Sequence, residues 1–136
     1  MFKGIKAATG VCATLILLSV VCVKASVPAA PQDSDVVTVK MTADNVFDPA
    51  KVTIKVGQTV EWVNAEEGGL HQVTNDPDVA SDGGDVSVPD GTMPFNSQMM
   101  RAGKTYRHQF TIPGVYKYTC PPHESAGMVG EVDVTK

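Results

Sequence analysis

The chain has 136 residues, 43% hydrophobic and 19% charged, with 11 Lys and Arg against 15 Asp and Glu and a formal net charge of −4. That length admits one domain with a core of its own. The acidic balance excludes nucleic acid as a natural partner and favours basic protein surfaces through long-range attraction that salt would weaken.

Residues 1–25 read as a secretory signal peptide: Lys3 and Lys6 form a positive start, Val11 to Val23 an apolar stretch, and Val23-Lys24-Ala25 a small-residue exit, with cleavage after Ala25. The apolar run is shorter than the ~18 residues of a spanning helix, which argues against an uncleaved anchor. Lipid attachment at Cys22 is the lesser alternative, because Ser19 and Val21 fit an acylation box poorly. The segment carries three lysines and no acid, so its removal makes the mature chain three units more negative. It also carries Cys12 and Cys22, which leaves Cys120 as the lone mature cysteine and rules out an internal disulfide. Export to a periplasmic or equivalent extracytoplasmic compartment is therefore expected.

Residues 26–35, with Pro28 and Pro31, have the composition of a flexible lead-in, and a single domain is expected over 36–136. Alternating apolar and polar residues predict strands over 37–41, 51–56 and 59–64, the last two joined by a tight turn at Gly57-Gln58. Phe47 and Trp62 read as core. The stretch from Asn75 to Ala102 is longer than the ~12–15 residues of an ordinary structureless loop, so it should hold a short strand or helical turn of its own. Its acids, from Asp76 to Asp90, form either a negative patch or a solvated surface.

A further strand is predicted over 105–112, with Tyr106, His108, Phe110 and Ile112 on one face; Pro113-Gly114 then turns the chain into 115–118, and 129–134 alternates again. These periods predict an all-β protein, a Greek-key β-sandwich of about eight antiparallel strands in two sheets.

Cys120, His123 and Met128 stand as C-x2-H-x4-M between the last two predicted strands, and His71 lies upstream. A thiolate, two imidazoles and a thioether suit one copper ion cycling between Cu(I) and Cu(II), whereas structural zinc prefers Cys- and His-only sets. Four protein donors leave no open position for a substrate, which points to electron transfer and away from an enzyme. An oxidase or nitrite reductase would need further histidines for a second copper, and the chain has three histidines in all. The third, His108, falls on the inward phase between Tyr106 and Phe110 and reads as packing. Met93, Met99 and Met100 lack regular spacing and read as gap-filling or surface residues rather than as a Cu(I) depot. The other function to weigh is a copper-binding module that delivers its ion.

At these residues, and along Asn45 to Asn64 with its pattern F-x-P…V-x-x-G-x-x-V-x-W-x-N, the chain resembles the plastocyanin, pseudoazurin and amicyanin group of small blue copper proteins, the cupredoxins. The resemblance implies His71, Cys120 and His123 as strong equatorial ligands and Met128 as a long axial one. It implies His123 as the solvent-facing electron port, redox proteins as donor and acceptor, and a monomer. Pro122, which lacks an N–H, cannot donate to the Cys120 sulfur, and an electron-richer thiolate lowers the potential. Gln72 stands where the family usually has the Asn that ties the two ligand segments together.

Overall fold

The computed structural model describes residues 35–136; the expected signal peptide and nearly all of the lead-in lie outside the described residues. Seven strands follow one another: β1 (Val36–Met41), β2 (Phe47–Asp48), β3 (Lys51–Lys55), β4 (Thr59–Asn64), β5 (Thr105–Gln109), β6 (Gly114–Thr119) and β7 (Val129–Thr135). They form two sheets, ordered β2-β1-β4-β5 and β3-β7-β6.

The expected sandwich is present, with one correction to its pairing. β1 runs parallel to β4, with Val39 opposite Trp62, and β3 runs parallel to β7, with Val52 opposite Val132. Hydrophobic alternation reports which face of a strand is buried but not its direction, so the mixed sheets were not legible in the period. The alternation itself is obeyed: β3 buries Val52 and Ile54 and exposes the residues between them. β5 ends at Gln109, short of the predicted Ile112, because the Phe110 backbone leaves the ladder and bonds both Gly57 and Gln58 at the β3–β4 turn.

Trp62, fully buried, sits at the centre of the core, with ring centroids 5.3 Å from Tyr118, 5.6 Å from Phe95 and 5.9 Å from Tyr106. Phe47 is buried as expected and meets Tyr118 edge-on at 4.8 Å. Burying such a ring contributes about 1.5–3 kcal/mol. His108 is half-buried between Phe95 and Phe110, each 4.8 Å away, which fits the packing role. Met100 is core, whereas Met93 and Met99 are exposed.

The long stretch after Asn75 contains the expected short element, a 3-10 turn at Gly83–Asp85 capped by the Asp82 carboxylate. Asn75 anchors that stretch from within: its amide donates to the Ser87 carbonyl and its side-chain oxygen accepts from the Phe95 N–H. Isolated bridges join His71 to Met100 and Thr74 to both Asn96 and Thr119, which brings the segment after β4 against the end of β6.

Candidate metal centre

β4 ends at Asn64, whose buried side chain holds the following loop in place of a strand partner. Its amide donates to the carbonyls of Gly69 and Met100 at 3.1 and 2.9 Å, and its oxygen accepts from the Glu66 N–H at 3.0 Å. The loop therefore folds back and delivers His71 beside Met100, where the two backbones exchange bonds of 3.1 and 2.7 Å. Three residues beyond His71, Thr74 and Thr119 exchange another pair at 3.1 and 2.9 Å. That pairing sets the His71 segment against the strand that ends at Cys120.

On the other side, the segment between Cys120 and Met128 is more regular than a loop with three bends. It forms a 3-10 helix, Pro121–Ala126, with proline in its first turn and a cap at Gly127, whose φ of +83° suits glycine. Its ends close on each other: Cys120 N–H donates to the Met128 carbonyl at 3.1 Å, and Met128 N–H donates to the His123 carbonyl at 3.2 Å. Glu124, buried beside His123, accepts from the Ser81 and Asp82 N–H groups at 2.7 and 3.0 Å, fastening this helix to the long stretch. Sequence reasoning missed Glu124, since an acid among polar loop residues carries no mark of burial.

These two anchored segments bring together the donors expected from sequence. Cys120 Sγ lies 3.7 Å from His71 Nδ1 and 3.5 Å from His123 Nδ1, and the three donor atoms all fall within 4.8 Å of one another. Bonds of about 2.0–2.1 Å to nitrogen and ~2.3 Å to sulfur around one ion, opened by roughly 109–120°, separate N from S by about 3.5–3.8 Å. The observed spacing is that of two imidazoles and a thiolate arranged about a single metal. Met128 is fully buried two residues beyond the same helical segment.

Burial grades the cluster. His71 and Cys120 are fully enclosed, while His123 is partly exposed, so a bound ion would be shielded from water with one imidazole reaching the surface. Without a metal, burial pushes the Cys120 thiol up, opposed by the Gln72 and His123 backbone N–H groups. Burial, followed by the neighbouring His123, holds His71 below its ordinary value, so its ring is kept neutral. A cation reverses the penalty on the thiolate by supplying the missing opposite charge.

Gln72 N–H reaches the Cys120 sulfur at 3.4 Å, so one backbone donor remains on the thiolate. The Gln72 side chain reaches past the ligand segment to Asn96, where its amide donates at 2.8 Å. The side chain of Gln72 thus ties the His71 segment to the long stretch.

The description "copper binding proteins, plastocyanin/azurin family" matches residues 34–135. Plastocyanin from Scenedesmus fuscus is 38% identical over 101 residues, which cover 72% of this chain and 98% of that one. Halocyanin from Natronomonas pharaonis is 35% identical over 103 residues, covering 74% of this chain and 56% of that one. The chain thus spans the whole of the first relative and little over half of the second. Among solved structures, an amicyanin variant in its Cu(I) form superposes with a TM-score of 0.57 at 28% identity, over 75% of this chain and 84% of that one. Pseudoazurin from Methylobacterium extorquens gives 0.57 at 28% identity, over 74% and 76%.

Proposed function

The chain belongs to the plastocyanin/azurin family of copper-binding proteins, and on that premise we propose that it is an exported, monomeric carrier of single electrons between redox proteins, with one copper ion held by His71, Cys120, His123 and Met128. The observation that carries this reading is the convergence of two imidazole nitrogens and a thiol sulfur at the spacing of one ion. Copper, when bound, supplies a one-electron Cu(I)/Cu(II) couple.

The protein's own part is to hold the donors still. His71 is fixed by the Asn64 side chain and the bridge to Met100; Cys120 and His123 are fixed by a capped helical segment clamped through Glu124. Donors that do not move between oxidation states keep the reorganisation small, as a carrier requires. His123, the partly exposed ligand, offers the shortest route from the enclosed centre to a docked partner. With four protein donors and no position left for a substrate, the centre suits transfer rather than catalysis, and rigid enclosure disfavours delivery of the ion.

Export rests on residues 1–25, and partners with basic docking surfaces rest on the acidic net charge. Among the described residues no helix is long and apolar enough to cross a membrane.

The absorption spectrum of the copper-loaded protein tests the reading. An intense thiolate-to-copper band toward the red is expected, and Cys120→Ser should abolish it while far-ultraviolet circular dichroism keeps its β signature. A stoichiometrically loaded protein without that band contradicts the assignment. Ready surrender of Cu(I) to a chelator would favour delivery instead.

A further inference from the structure

The His71 ring is fully buried and turns Nδ1 toward Cys120, so its other nitrogen, Nε2, must find a partner inside the protein. Glu66 Oε2 stands 2.8 Å from Nε2, inside hydrogen-bond range but too oblique for an aligned bond. The carboxylate reaches this place through two local devices. The Glu66 N–H is held by the Asn64 side chain, and residue 69 is a glycine, where a Cβ would sit 1.9–2.5 Å from the carboxylate atoms. Any larger residue at position 69 would displace Glu66 from the ring. The neighbouring Glu67 is exposed and has no such contact. The Thr42 carbonyl, which accepts from the Asn45 N–H, is a second acceptor facing the same imidazole.

We propose that Glu66 is a positioning residue for the metal centre: its carboxylate, 2.8 Å from Nε2, favours the tautomer that carries the proton on that nitrogen, which keeps Nδ1 as the unprotonated nitrogen aimed at the cluster, and its charge favours Cu(II) over Cu(I). The assignment rests on the copper reading above for its redox consequence, whereas the ring orientation and tautomer belong to the protein alone. A carboxylate on the far nitrogen of a ligating imidazole raises the basicity of the near one. A fixed negative charge close to the centre stabilises the more positive oxidation state. Glu66 would therefore tune the potential in the same direction as the donor-free Pro122.

Two measurements test this, one of which needs no metal. In the metal-free protein, the ring-nitrogen NMR shifts of His71 should show Nε2 protonated and Nδ1 bare. Glu66→Ala should mix the tautomers, Gly69→Ala should do the same by displacing the carboxylate, and Glu66→Gln, which keeps an acceptor, should restore the wild-type pattern. In the copper-loaded protein, Glu66→Gln should weaken the preference for Cu(II) over Cu(I) about tenfold, raising the potential by ~59 mV. Glu67→Gln, with the same change of charge, should shift it much less. Wild-type ring shifts in both Glu66→Ala and Gly69→Ala would show that the Thr42 carbonyl suffices and overturn the proposal. Equal potential shifts in Glu66→Gln and Glu67→Gln would overturn its redox half. A wild-type protein that gives no thiolate-to-copper band while showing the expected ring shifts would refute the copper reading and leave the positioning role standing.

Discussion

At the scale of single residues, the centre joins donors with unequal duties. Cys120 and the two imidazoles lie at mutual distances that a single ion bridges, whereas Met128 is known by its burial just beyond the helical segment. As the axial donor proposed above, Met128 would stabilise Cu(II) modestly. Met128→Leu, close to volume-conserving, should keep copper bound and the fold intact. Its potential should rise by a change on the order of tenfold in Cu(II)/Cu(I) preference, ~59 mV, in protein-film voltammetry. An unchanged potential contradicts the axial role. The candidate donors were legible in the sequence because thiol, imidazole and thioether are chemically distinctive at any position. Glu66 and Glu124 were not legible, because a carboxylate has the same letter whether it is solvated or holds a buried partner.

At the scale of elements, the ligand segment hangs from two adjacent strands whose packing leaves no slack. Gly130 on β7 stands opposite Tyr118 on β6, and a Cβ there would lie 2.4–2.6 Å from the tyrosine ring. Tyr118 cannot yield, since Phe47 and Trp62 hold it edge-on from two sides at 4.8 and 5.3 Å. Burial also pushes its phenol up to about 12, so it stays neutral there. Gly130→Ala should therefore destabilise the protein by about 1–3 kcal/mol, measured by chemical denaturation of the copper-loaded form. Because Tyr118 lies two residues before Cys120, the thiolate-to-copper band should shift as well. Strand positions were readable from alternation, but this glycine was not: its need arises from a ring on a neighbouring strand. The 3-10 helix was equally hidden, because Pro121, Pro122 and Gly127 are compatible with a bent loop until both ends are tied to each other.

At the scale of the whole molecule, two pH and salt responses follow. His108 packs between Phe95 and Phe110, and burial holds it below its ordinary value, so the folded state disfavours its protonation. Its contribution to stability is then fully present above the unfolded value near 6.5 and falls as pH drops through that value toward the depressed folded one. Thermal unfolding of the loaded protein between about pH 7.5 and 5 should show this decline, and His108→Gln should flatten it. The net charge of −4 predicts faster electron exchange with a basic redox protein than with an acidic one. Added salt should slow the basic pair markedly across the range where the Debye length shrinks from ~10 to ~3 Å. A rate indifferent to salt contradicts electrostatic docking. The sequence by itself determined the β class, the inward residues and the candidate donors, since side-chain period and ligand chemistry are properties of the chain read locally. Only the tertiary structure decided the parallel pairings, the seating of His71 within 3.7 Å of Cys120 across 49 positions, and the burial of Glu124. Those depend on which segments meet, and that is set by the packing of two sheets around Trp62 rather than by any stretch of residues alone.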